Sequence, residues 1–118
     1  MNADTDVLII GTGFSGLGMA IRMLEAGMKD FTILEQASDV GGTWRDNHYP
    51  GVACDVPSHL YSFSFEQNPT WSRLFAPQGE ILSYLQRCAD KYGVRPYIHF
   101  DTKVIKATFD ERRGSWTV

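Results

Sequence analysis

The sequence predicts an α/β fold built on a doubly wound parallel sheet, and three observations carry that expectation. A short apolar run, Val7-Leu8-Ile9-Ile10, ends in a glycine cluster, Gly11-Thr12-Gly13-Phe14-Ser15-Gly16. A helical pattern follows, with Leu17, Ile21, Leu24 and Met28 recurring at three to four residues. A second apolar run, Phe31-Thr32-Ile33-Leu34, then ends in an acid, Glu35. Strand, helix and strand in that order make a right-handed crossover between parallel neighbours.

Residues 5–10 suit a buried strand, because strands of parallel sheets are apolar on both faces. The helix is expected from Phe14 to Ala26, with Gly27 as its terminator, and the second strand over residues 31–35. From Ala37 to Thr70 the chain is dense in Gly, Pro, Asp, Asn and Ser, with Trp44, Tyr49, Tyr61, Phe63 and Phe65 interleaved. That stretch fits neither period and reads as loop with short helical turns; a loop this long in a compact domain usually carries function. After Pro77-Gln78-Gly79, residues 80–92 place Ile81, Leu82, Leu85, Ala89 and Tyr92 on one helical face, with Glu80 in the first turn and Gly93 after the last. Tyr97 to Phe100 and Lys103 to Phe109 read as strands, Asp110 to Gly114 as a turn, and Ser115 to Val118 as a further strand, the start of a β-meander. Ending in mid-strand leaves an unpaired edge, so the 118 residues read as an incomplete fragment of a longer protein.

With 43% hydrophobic and 21% charged residues the chain is one globular domain or part of one. A net charge of -3 gives no electrostatic reason to expect nucleic acid or an anionic membrane as partner. The apolar run Val7 to Ile10 falls far short of the roughly 20 residues of a membrane helix. The acidic amino terminus, Met1 to Asp6, lacks the basic segment and apolar core of a secretory signal, so a cytoplasmic location is expected. Cys54 and Cys88 then read as free thiols. His48, His59 and His99 show no metal-ligand spacing, and no metal is expected. Nothing in the sequence fixes an oligomeric state.

The glycine cluster has the strand-to-helix context of a Rossmann-like dinucleotide fingerprint. Gly11 permits the tight turn, Gly13 lets backbone approach a pyrophosphate, and Gly16 lets the helix pack closely on the sheet. Phosphates would face the free N–H groups and positive end of the helix. Glu35, 19 residues past Gly16, is placed to accept hydrogen bonds from adenosine ribose hydroxyls and to repel a 2′-phosphate, which favours FAD or NAD over NADP at this site. Gly41-Gly42 tilts the choice to FAD, as a second point where backbone approaches a bulky cofactor, with an aromatic loop to wall a flat ring system. The plainer readings are a ligand-free glycine turn and a solvated strand-end acid.

The run Gly41-Gly42-Thr43-Trp44-Arg45-Asp46-Asn47-His48-Tyr49-Pro50-Gly51, then Asp55 and Tyr61-Ser62-Phe63-Ser64-Phe65, resembles the amino-terminal region of flavin-dependent Baeyer–Villiger monooxygenases. The likeness continues through Trp71-Ser72 and Phe75-Ala76-Pro77-Gln78 and covers essentially the whole chain. The wider flavin-containing monooxygenase group, with its N- and S-oxygenating members, is similar over the first part. The resemblance implies that residues 1–118 are the amino-terminal part of an FAD-binding domain, with the NADPH and substrate domains elsewhere. It implies that Ser15, with Gly11, Gly13 and Gly16, lines the pyrophosphate and Glu35 the ribose. Thr43, Trp44, Asp55 and Tyr61 would lie at the flavin end and Val104, on a later strand, at the adenine; Phe14, Gln36 and Gly42 complete the cofactor-binding set. Asp55 is the catalytic candidate, orienting an arginine that this chain does not contain. Arg45-Asp46 replaces an aromatic pair seen in some relatives.

The implied activity of the full-length protein is NADPH- and O₂-dependent conversion of ketones to esters or lactones through a C4a-peroxyflavin. N- or S-oxygenation and a truncated, non-catalytic nucleotide-binding module are the alternatives. Read without the resemblance, Trp44 and Tyr61 are loop aromatics packed on the core, and Asp55 is a turn acid.

Overall fold

The computed structural model describes residues 4–118; residues 1–3 of the acidic amino terminus lie outside the described residues. The expected βαβ unit forms β1 (Val7–Ile10), α1 (Phe14–Glu25) and β2 (Phe31–Leu34). The strands pair in parallel, with Val7 opposite Phe31 and Ile10 opposite Leu34. Leu17, Ala20, Ile21 and Met23 form the buried face of α1, and Gly27, at φ +77°, ends it. Met28 lies beyond that end and is exposed, so it leaves the helical face on which its spacing placed it.

A short helix, α2 (Thr43–Asp46), follows, then α3 (Gln78–Lys91) and β3 (Ile98–His99). Strand β3 pairs in parallel with β2, Ile33 opposite Ile98, which gives the sheet order β1-β2-β3. Both crossovers step the same way along the sheet, so right-handed connections put α1 and α3 on one face, where they touch. Ile33, Phe31 and Ile98 of the sheet, Leu17 and Ile21 of α1, and Ile81, Leu85 and Ala89 of α3 share one buried cluster with Val40 and Val94. The sequence thus folds as a Rossmann-like α/β domain on a parallel sheet. Here β1 carries no partner on its outer side among the described residues, which is the side from which a doubly wound sheet continues.

Four local expectations are corrected. Helix α3 begins at Gln78, and its buried face takes in Tyr84 and Cys88 while Leu82 and Tyr92 are only half-buried. The Tyr84 hydroxyl explains the rotation: it donates to the Glu66 carbonyl at 2.6 Å and accepts the Phe63 N–H at 2.9 Å, tying the long loop to the helix. Tyr97 belongs to a 3₁₀ turn (Arg95–Tyr97) with Pro96 near its start, which shortens the strand after it. Of the strand expected over 103–109, only Thr108–Asp110 (β4) forms, because its antiparallel partner β5 (Ser115–Thr117) offers just three residues. Val104 therefore sits on an irregular segment, and its neighbour Ile105 is 91% exposed.

Within the long loop, Cys54 N–H donates to the Ala76 carbonyl at 2.9 Å, and the Ser58 hydroxyl reaches the carbonyls of Arg73 and Leu74. Cys54 and Cys88 are free and buried. Among the described residues no helix is long and apolar enough to cross a membrane.

Candidate functional site

The site grows from the turn between β1 and α1. Gly11 takes φ +92°, a conformation that favours glycine. A Cβ on Gly16 would overlap the Gly11 carbonyl oxygen, so glycine there lets α1 start directly against the turn. Gly13 is the N-cap of α1; no side chain caps that end, and its first turn carries no acid. The four N–H groups at the start of a helix have no partner within it, so this end presents donors and a positive dipole.

The second glycine pair lies against the first cluster. Gly41 N–H donates to the Thr12 carbonyl at 3.0 Å, and a Cβ on Gly42 would stand 2.9 Å from Gly13 Cα. Gly41 and Gly42 have φ of +132° and +54°. A Cβ on Gly41 would overlap Leu82 of α3 and meet Arg45 Cβ at 3.0 Å. The close approach that this pair permits is thus to Gly13, Leu82 and Arg45.

Together these segments enclose a cleft of about 220 Å³ lined by Ile10, Gly11, Gly13, Phe14, Ser15, Gly16, Gly41, Thr43, Trp44 and Tyr61. Trp44 and Tyr61 wall it and also pack on each other: the indole N–H donates to the Tyr61 hydroxyl at 3.1 Å, and the rings meet edge-on at 5.6 Å. Phe14 meets Tyr61 edge-on at 4.9 Å. The two aromatics are at once loop packing and cleft wall.

Glu35 lies beneath the turn, 3% exposed. One carboxylate oxygen, Oε2, accepts the Thr12 N–H at 3.0 Å and the Thr12 hydroxyl at 2.5 Å. The other, Oε1, accepts the Ala37 N–H at 2.8 Å and has Arg45 Nη1 at 3.3 Å. Burial by itself pushes the carboxyl up, but the Thr12 hydroxyl, the Ala37 N–H and the Arg45 charge outweigh it and hold Glu35 below the usual carboxylate range. Arg45 also donates from Nη1 to the Asp39 carbonyl at 2.6 Å and from Nε to Asp46 at 2.9 Å. Those acidic partners raise its own value against the effect of burial.

Of the residues singled out in the sequence, the cleft unites Gly11, Gly13, Phe14, Ser15, Gly16, Thr43, Trp44 and Tyr61. Gly42 packs behind Gly13, Glu35 is reached through Thr12, and Gln36 beside it is exposed. Exposed Asp55 and half-buried Val104 stand apart from the cleft lining. Sequence reasoning missed Thr12 and Arg45 as partners of Glu35. Thr12 gave one signal, a hydroxyl held between Gly11 and Gly13; Arg45 gave none beyond its place after the second glycine pair.

An uncapped helix start beside the bare backbone of Gly13 fits a diphosphate. The cleft volume of about 220 Å³ is below the roughly 300–1,000 Å³ of pockets that engulf a whole ligand, so it fits that part of a dinucleotide and not its full length.

Comparison with known proteins agrees with this geometry. Residues 9–77 match the family model described as NAD(P)-binding Rossmann-like domain. The chain is 53% identical to a Baeyer–Villiger monooxygenase of Streptomyces coelicolor over 112 residues, 95% of the chain and 22% of the relative. Among solved structures it is similar to an oxidized steroid monooxygenase bound to NADP, with a TM-score of 0.91 and 42% identity over 98% of this chain and 23% of that one. It is likewise similar to an FAD-bound form of OTEMO, with a TM-score of 0.88 and 36% identity over 98% of this chain and 22% of that one. The chain spans about a fifth of the length of the curated relatives it matches. Over residues 9–77, from within strand β1 to the residue before α3, the chain belongs to the NAD(P)-binding Rossmann-like domain family.

Proposed function

We propose that the chain is the amino-terminal, FAD-binding part of a cytoplasmic flavoprotein monooxygenase that uses NADPH and O₂ to convert ketones to esters or lactones. One observation carries the reading: the uncapped start of α1 and the Trp44–Tyr61 wall share a single cleft, in a chain 53% identical to a Baeyer–Villiger monooxygenase. Gly11, Gly13, Ser15 and Gly16 hold the diphosphate through backbone N–H groups. Glu35 accepts from the adenosine ribose and repels a 2′-phosphate, which leaves FAD or NAD for this site; the likeness to FAD-binding monooxygenases favours FAD, with NADPH held by another part of the protein. Thr43, Trp44 and Tyr61 border the flavin end; Asp55 and Val104 stand apart from the cleft and would meet the flavin and the adenine where the cofactor extends beyond it. Bound FAD supplies the hydride acceptance and oxygen transfer, while this chain supplies position and electrostatics.

The intact protein is expected to purify yellow and to consume NADPH and O₂ when given a ketone, with ester or lactone as product. A colourless protein that gains no flavin absorbance on addition of FAD overturns the cofactor assignment. Oxygenated amines or sulfides in place of esters overturn the substrate class and leave the cofactor standing.

A further inference from the structure

Arg45 is poorly explained by diphosphate or flavin binding, yet it is 83% shielded and committed to three acidic or carbonyl groups, with its side chain only 17% exposed. It stands next to Trp44 on α2 and points the other way, under the turn toward Glu35. Its backbone N–H is held by the Gly42 carbonyl at 3.1 Å, and its stem occupies the space that a side chain on Gly41 would need. The guanidinium therefore meets Glu35 Oε1 from a fixed base. On Glu35 itself both hydrogen bonds to Oε2 come from Thr12, whereas Oε1 has the Ala37 N–H and the longer Arg45 contact. Oε2 thus has its roughly two acceptor sites filled, whereas Oε1 accepts one hydrogen bond, from the Ala37 N–H, and meets Arg45 at ion-pair distance only, which leaves it the freer oxygen for a ribose hydroxyl.

We propose that Arg45 is the positioning residue for Glu35: it fixes the carboxylate so that Oε1 is presented to the adenosine ribose. Because Trp44 and Arg45 are neighbours on one helix of four residues, the same element then sets both the wall of the cleft and the acceptor at the far end of the cofactor. An arginine suits the task because its fork serves Glu35, the Asp39 carbonyl and Asp46 together, which a lysine ammonium does from a single point. The inference rests on the FAD reading above.

The test is made on the intact protein, with FAD and riboflavin 5′-phosphate as probes followed by flavin fluorescence. The second probe lacks the adenosine and so reports the flavin end alone. Arg45→Met is expected to weaken FAD binding by about tenfold, since removing one partner of a buried pair leaves the other charge uncompensated, and to leave riboflavin 5′-phosphate binding unchanged. Arg45→Gln, which keeps a donor for the Asp39 carbonyl, carries the same expectation and serves if the methionine variant does not fold. Arg45→Lys is expected to recover only part of the lost FAD affinity, because it returns the charge but not the fork. In a Glu35→Gln background, Arg45→Met is expected to add nothing, since a residue that acts through Glu35 has no further effect once that carboxylate is gone. Unchanged FAD affinity in the single variants, equal losses for both probes, or additive losses in the double variant each overturn the proposal. A wild-type protein that binds no FAD overturns the underlying reading instead.

Discussion

Two glycines three residues apart have opposite tolerances. A Cβ on Gly13 meets only Gly42 Cα, at an ordinary 3.8 Å, and Gly13 has φ -76°, which any residue adopts. Gly13→Ala is therefore expected to keep its unfolding midpoint close to wild type while weakening FAD binding, as read by thermal unfolding alongside flavin fluorescence. Gly16→Ala presses a methyl into the Gly11 carbonyl and is expected to cost about 1–3 kcal/mol or more, measured by urea unfolding. The spacing of the cluster already suggested packing for Gly16, and the structure gives the cause, a carbonyl oxygen where its Cβ would stand. Gly18 had no role in the fingerprint. Its bare Cα is where the Phe63 ring seats, a contact 45 residues apart in sequence that no local pattern encodes.

Among elements, α1 was legible from its helical period, and β1 and β2 as short apolar runs ended by a glycine cluster and by an acid. Helix α2 was expected only as one of some short helical turns in the loop, without bounds, since four residues have no period and isolated helices of that length are unstable in water. Its stability is borrowed: the Gln78 side-chain amide donates to the Trp44 carbonyl, and Asn47 Nδ2 bonds the Thr43 carbonyl at 3.0 Å. Gln78→Ala is expected to loosen α2 and shift Trp44 fluorescence toward that of a solvated indole, with little change in the far-UV spectrum. The corrected face of α3 makes a second prediction. Tyr84→Phe leaves the Phe63 N–H without its acceptor and the Glu66 carbonyl without its donor, and is expected to destabilise by about 1–3 kcal/mol in denaturant unfolding. That role was illegible because the partners lie in an aperiodic loop some twenty residues away. The strand read over 103–109 failed for the converse reason: alternation specifies a strand only where a partner pairs with it, and β5 reaches no farther than Thr108.

At the scale of the molecule, acid stability follows from the carboxylates that the fold holds ionised. Glu35 is lowered as described; Asp39 is lowered because Arg95, the Val40 N–H and Gln86 together outweigh its burial. A carboxylate whose folded value is depressed contributes stability that is complete above its unfolded value, about 4, and is lost as pH falls through the folded value. Urea midpoints are expected to hold from pH 7 to about pH 5 and to fall steadily below pH 4, and Glu35→Gln should flatten that fall. Topology was legible from the order of strand, glycine turn, helix and strand, because handedness leaves one way to wind it. The partners of Glu35 were not, since nothing in the sequence says that Arg45 turns under the glycine turn. The contact of Gly42 with Gly13 has a consequence for affinity itself. It consists of protein atoms alone, so the entropy of ordering this cradle is lost in folding and not at the moment of binding, and the diphosphate site proposed above is a preorganised one. Substitutions that loosen the turn between β1 and α1, however far from the cleft, will then appear first as leakage of cofactor and only later as loss of fold.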